Sequence, residues 1–295
     1  MSNENIIIAA ASLAVCLIAA SIQTIQLIVF RYFEDYRTNA AIEIMFFIGV
    51  SNLIQAIMQI YTALFMLLPI LHVGFIELFI GNIGSAAWVV ALGLNVVLAL
   101  NRFEAFKPAG WPLLVNPAIC RILCAISTFI GLVFFGVTYS PLTNMKFTQS
   151  EYYWSYDESK AASEIVSAID FYYGLVCCGA AFVLYVGIIL CMAGLRKKRS
   201  TSSKALNEFR FLGPFLGHYT FTAVSVFAWH FPGPIGGNYF WIVVICISPT
   251  LNLIMNRRIR RRFFAIVTFN RQVLATRVFT VKANSAQETE KTAAS

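Results

Sequence analysis

Polar positions along this chain are widely spaced, and the stretches between them are continuously apolar. Seven stretches have the length of a membrane-crossing helix: about 6–30, 44–70, 77–100, 118–138, 169–193, 211–230 and 237–256. A hydrocarbon core of roughly 30 Å takes about 20 helical residues at ~1.5 Å each. Membrane-spanning strands would alternate apolar with polar residues, and these runs do not. Gly and Pro crowd the turn "FPGPIGGNYF" between the sixth and seventh stretches. The pattern predicts an all-α membrane protein: a seven-transmembrane helix bundle over 1–256, a basic amphipathic juxtamembrane segment over 257–282, and a disordered tail over 283–295.

Composition agrees with that solvent. The chain is 59% hydrophobic and 12% charged, about half the charge of soluble domains, which run near 25%. Too few charges exist to cover so much apolar surface in water.

Charge then sets the orientation. Of the 22 Lys and Arg, 20 fall in the first, third and fifth connections and in the segment after Met255. The other side holds Lys146 and Lys160, with Glu4, Glu77, Glu151, Asp157, Glu158, Glu164 and Asp170. The positive-inside rule places the N-terminus outside and the C-terminus in the cytoplasm. An odd number of spans follows independently of hydropathy. The net charge of +8 is a topology signal, and no nucleic-acid partner is expected.

Smaller features refine this. "MSNENIII" lacks a basic n-region, so the first span is expected to act as an uncleaved anchor. No Asn-x-Ser/Thr sequon occurs in the sequence. The seven cysteines lie in spans or near the cytoplasmic end of the fourth, which predicts buried thiols and no outer disulfide framework. The longest outer loop, 139–168, carries "EYYWSYDESK". It reads as a lid over a binding mouth or as a solvated loop with interfacial aromatics. Ser200 to Ser203 beside the basic run are candidate phosphorylation sites or part of a flexible linker. "NRRIRRRFFAIVTFNRQV" suits a helix lying on the inner leaflet, where anionic lipid would attract it.

In the third span, Arg102 shares one side of the helix with Asn95, Trp88, Gly84, Gly81 and Glu77. Polar and small residues avoid lipid, so this stripe is expected to face the bundle interior. Asn101 points elsewhere. In the seventh span, Asn238, Pro249, Asn252 and Asn256 share a face, and Pro249 should bend the helix.

"LALNRFEAF" and "SPTLNLIMNRRIRRRF" resemble the nematode serpentine chemoreceptors, a lineage of rhodopsin-like G-protein-coupled receptors, nearest to the group containing classes x, t and v. The resemblance spans about 40–264 and does not separate those classes. It implies that Asn101, Arg102 and Phe103 occupy the place of the Asp-Arg-Tyr triplet facing a G protein. It also implies that Ser248-Pro249-Thr250-Leu251-Asn252 stands for Asn-Pro-x-x-Tyr, and that Tyr185 supports the active state. Ile57 takes the place of the sodium-binding Asp, the sixth span has no Cys-Trp-x-Pro, and no Cys pair clamps the third helix. No Lys lies in the seventh span, which excludes a retinal Schiff base there.

The resulting expectation is a G-protein-coupled chemosensory receptor of the plasma membrane, and by resemblance of sensory cilia. It would bind a small molecule in the outer half of the bundle and activate a heterotrimeric G protein, with no cofactor. Candidate ligand contacts are Gln59, Glu77, Gly81, Trp88, Tyr172, Trp229, His230 and Tyr239. The switch candidates are Asn101, Arg102, Phe103, Tyr185, Pro249 and Asn252. Two alternatives stand beside it: a facilitator-type transporter of a neutral solute, and a non-signalling membrane partner of another receptor. Ion-coupled transport is disfavoured because no carboxylate is expected near the midplane. An enzyme is disfavoured because His218 stands alone, with no HExxH, paired midplane Asp or CxxC.

Overall fold

The computed structural model of the protein describes residues 3–33, 39–68, 74–108, 110–112, 115–149, 152–198, 203–230 and 233–268. Seven long helices follow one another: α1 (Asn3–Phe33), α2 (Ala40–Leu67), α3 (Gly74–Phe106), α4 (Pro117–Thr138), α5 (Ser163–Lys198), α6 (Ser203–His230) and α7 (Gly233–Met255). A short helix, α8 (Arg257–Val267), ends the described chain. Between α4 and α5 lies a two-stranded hairpin of β1 (Met145–Thr148) and β2 (Tyr153–Tyr156).

Among the described residues, six helices are long and apolar enough to cross a membrane. With α6, which packs against α5 and α7, the bundle is seven-membered. Most helices outrun their apolar stretches. Helix α3 continues past Arg102 to Phe106, so Arg102 does not end it. Helix α5 has 36 residues, about 54 Å at 1.5 Å per residue, well beyond a ~30 Å hydrocarbon core.

Position in the bundle follows from polarity. Within their most apolar windows, α3 is 67% and α2 61% buried, against 22–28% for α1, α4 and α5. Helix α3 contacts α2, α4, α5, α6 and β1, and so forms the central post. Exposed side chains of α5 such as Val176, Val183 and Leu190 are apolar, as a lipid-facing surface requires. The interior instead collects polar groups: Gln55, Gln59, Thr62, Asn82 and Asn238 are all buried.

Small residues set the closest approaches. A Cβ on Gly131 of α4 would lie 2.2 Å from a Val90 methyl and 3.2 Å from the Ala86 carbonyl oxygen of α3. Only hydrogen fits there, which lets the two backbones approach without lost packing.

The predicted spans 6–30, 44–70, 77–100, 118–138 and 169–193 map onto α1 to α5. The predicted 211–230 starts late, since α6 begins at Ser203, and α7 begins at Gly233 rather than 237. Helix α8 covers the start of the amphipathic segment. It buries Ile259, Phe263 and Ala265 while Arg257 and Arg261 stay exposed. The stretch 269–282, the tail 283–295 and Ser200 to Ser202 lie outside the described residues. All seven cysteines are free thiols, five of them buried and two half-buried.

The loop 139–168 is where the sequence expectation needs correction. It is neither solvated nor an open lid. Its two strands pair antiparallel, Met145 opposite Tyr156 and Phe147 opposite Trp154, and these four side chains alternate inward. The hairpin thereby plugs one end of the bundle. Tyr152 at its turn adopts φ 51° while its ring is buried against Phe147. A bulky residue in this left-handed region costs about 1–2 kcal/mol, offset here by ring burial.

Candidate functional site

Three side chains of α2 and α3 hold the hairpin. The Trp154 indole N–H donates to Thr62 Oγ1 at 3.1 Å. The Phe147 backbone N–H donates to Glu77 Oε1 at 3.1 Å, and the Met145 N–H to Asn82 Oδ1 at 3.1 Å. The Trp154 ring lies on Gly81 of α3, where a Cβ would come within 2.3 Å of a ring carbon. Glu77 and Gly81, expected as ligand contacts, therefore serve to seat the hairpin.

Beneath it lies a small cavity, lined by Ser85 and Trp88 of α3, Met145 and Tyr156 of the hairpin, and Asp170 and Gly174 of α5. Ser225, Val226, Trp229 and His230 of α6 and Trp241 of α7 complete it. About 20 Å³ is open to the centre of a water molecule, and a water needs at least ~10–15 Å³ by that measure. The cavity thus accepts a water-sized group as it stands, and anything larger requires a side chain to move.

Its polar feature is a buried pair. The Tyr156 hydroxyl donates to Asp170 Oδ2 at 3.0 Å. Asp170 Oδ1 is buried with no hydrogen-bond partner among the described residues. Burial, with the Asp170 charge beside it, pushes the Tyr156 phenol well above its ordinary range. Tyr156 therefore remains a protonated donor at any physiological pH.

Three indoles form the rest of the wall. The Trp229 and Trp241 centroids are 5.1 Å apart, and Trp88 and Trp241 are 6.2 Å apart. Toward the surface, Tyr153 lies 5.3 Å from Trp229, and Phe171 lies 4.7 Å from His230. Beyond these rings opens a vestibule of about 1000 Å³, lined by residues of the 153–168 stretch with Phe171, Tyr172, Trp229 and His230. The same Trp229, His230 and Tyr156 border both spaces, so these rings are the partition between vestibule and cavity.

The sequence-predicted contacts thus divide. Trp88, Trp229 and His230 line the cavity, and Tyr172 is exposed in the vestibule wall. Gln59 is buried and donates through Nε2 to Asn238 Oδ1 at 2.9 Å, tying α2 to α7. Tyr239 is half-buried on α7 and lines neither space. Sequence reasoning missed Asp170, Tyr156, Ser85, Ser225 and Trp241. Asp170 carried a signal, as a single acid inside the apolar run "SAIDFYYGLV".

The opposite end of α3 holds the switch candidates. Arg102 is buried, and the Tyr185 phenol of α5 lies within electrostatic reach of it. Tyr185 packs on Tyr219 of α6 with centroids 5.4 Å apart, and the Tyr219 hydroxyl donates to the Cys178 carbonyl at 3.1 Å. One cluster therefore joins α3, α5 and α6. Asn101 turns away and its Nδ2 meets Cys120 Sγ of α4 at 3.7 Å. Phe103 packs on Gly187 of α5 and lies 6.3 Å from Trp111. The Pro249 carbonyl accepts from Gln26 Nε2 of α1 at 2.5 Å. Asn252 is half-buried, one turn before the chain passes through Asn256 into α8. Asn256 Oδ1 caps α8 at the Ile259 N–H, 3.2 Å away. Ile57 is exposed on the outer face of α2, so that position does not look into the bundle.

No family model and no curated protein matches the sequence. The fold does match known structures. Squid rhodopsin superposes with a TM-score of 0.72 over 92% of this chain and 87% of that one, at 12% identity. The chain is thus a multi-pass helical membrane protein with the rhodopsin-like seven-helix fold.

Proposed function

We propose that this chain is a G-protein-coupled chemosensory receptor of the plasma membrane. A small molecule enters at the hairpin end, and a heterotrimeric G protein reads the basic end. The carrying observation is the layout of α3. Trp88 lines the cavity and Arg102 is buried beside Tyr185 on the same helix, about four turns or ~21 Å apart. A ligand that shifts α3 or α6 at the cavity perturbs the Arg102–Tyr185–Tyr219 cluster through rigid secondary structure.

In this reading Trp88, Trp229 and His230 contact the ligand, and Tyr172 stands at its entrance. Arg102 and Tyr185 form the switch. Phe103, Pro249 and Asn252 shape the surrounding helices, and Asn101 anchors α3 to α4. The basic, amphipathic α8 rests on anionic inner-leaflet lipid. The nematode chemoreceptor class, and with it a ciliary location, is supported by the resemblance of "LALNRFEAF" and "SPTLNLIMNRRIRRRF" alone.

The test is nucleotide exchange on a G protein in membranes containing wild type or Arg102→Ala, with a panel of small volatile and water-soluble compounds. Ligand-evoked exchange in wild type, lost in Arg102→Ala at equal surface expression, is the expected result. Exchange that survives the substitution removes Arg102 from the mechanism. Solute uptake by vesicles holding only this protein, with no exchange, would establish the transporter instead.

A further inference from the structure

The cavity contains a carboxylate without a counter-charge. Asp170 is 7% exposed, and among the described residues no Lys or Arg lines the space around it. Tyr156 meets Oδ2 only, and Oδ1 has no partner among the described residues. A buried carboxylate left in this condition costs several kcal/mol. The one basic side chain in the lining, His230, is set against the Phe171 ring.

The surrounding surface has the chemistry that complements a cation. Trp88, Trp229 and Trp241 bring three indoles to the same small space. Indole faces attract ammonium groups, and the attraction grows when the site is dry. The hairpin end carries Glu77, Asp157, Glu158 and Glu164 against Lys146 and Lys160. That acidic excess raises the local concentration of cations at the vestibule. The free volume also fits. It accepts a water-sized group, which an ammonium head is, while a larger body requires Trp229 to swing toward the vestibule.

We propose that the ligand is an organic cation, a protonated amine with a small apolar body. Its ammonium N–H donates to Asp170 Oδ1, and its body lies among the indoles of Trp88, Trp229 and Trp241. Tyr156 holds Oδ2 and so aims the free oxygen at the ligand. This inference deepens the receptor reading and rests on it for the choice of cavity.

The test is calorimetric binding to the purified full chain in nanodiscs, with no G protein present. The probes are small aryl- and alkylamines such as phenethylamine, each paired with the alcohol of the same skeleton. The expected result is at least one amine binding about tenfold or more tightly than its alcohol, or ~1.4 kcal/mol. Asp170→Asn should erase that preference. Equal affinity within every amine–alcohol pair overturns the proposal, as does binding by no amine. Both comparisons use wild type and do not depend on a variant folding. A preference that persists in folded Asp170→Asn overturns it too. Ligand-evoked nucleotide exchange alongside any of these failures would leave the receptor reading standing.

Discussion

The Trp241 indole N–H donates to Gln55 Oε1 at 2.5 Å, joining α7 to α2 directly behind the cavity wall. One turn along α2, Gln59 reaches Asn238 of α7. These two amides make a polar seam in a bundle whose outer surface is apolar. In lipid, helices gain little from hydrophobic association, so such bonds and close packing decide which faces meet.

Gln55→Leu should therefore lower stability and loosen the Trp241 wall. Interhelical hydrogen bonds in membranes average about 0.6 kcal/mol and reach about 1.7, and an orphaned indole N–H sits at the upper end. A thermal unfolding curve in detergent should shift down by a few degrees, about 2–4 °C per kcal/mol. An unchanged midpoint would show the bond to be dispensable.

Gly81→Ala places a methyl where the Trp154 ring now lies, 2.3 Å from a ring carbon. The hairpin has to shift outward, at a cost of about 1–3 kcal/mol. Faster proteolysis within 139–162 and red-shifted tryptophan emission are the expected signs. Wild-type cleavage rates would mean that Trp154 finds room elsewhere.

Tyr185→Phe keeps the ring against Tyr219 and removes the hydroxyl within electrostatic reach of Arg102. Loss of that electrostatic interaction with Arg102, taken as about 1 kcal/mol of coupling, should cut ligand-evoked G-protein activation about fivefold. The melting temperature should stay within a degree or so, because the packing is conserved. Full activation would place the switch elsewhere on α5.

Tyr156 also makes a prediction about alkaline pH. Its folded-state pKa is raised, so folding favours the neutral phenol. That contribution is fully present below the unfolded value of about 10 and is lost as pH climbs above it. Wild type should lose thermal stability more steeply above pH ~10 than Tyr156→Phe does. Parallel slopes for the two proteins would contradict the buried placement of the phenol.

Much of the architecture was legible in the chain. Long uniform apolar runs and Lys/Arg asymmetry gave seven helices, because lipid imposes length and charge rules that act on sequence alone. The inward stripe of α3 was equally readable, since Gly81, Gly84, Asn95 and Arg102 mark one side of a helix. The hairpin was missed for a local reason. Met145-Lys-Phe147-Thr and Tyr153-Trp-Ser-Tyr156 do alternate, but each run is four residues long and sits in an acidic loop that reads as solvated. Asp170 was missed for a non-local one. Counted along the chain it lies at the watery end of a span, and only the hairpin folding over it makes that end dry.

The hairpin itself is attached without a covalent clamp: no cysteine lies in it, and all seven thiols are free. Hydrogen bonds from Trp154, Phe147, Met145 and Tyr156, together with the burial of Met145, Phe147, Tyr152, Trp154 and Tyr156, hold it down. Its docking therefore rests on packing and hydrogen bonding alone, which reducing agents leave unchanged.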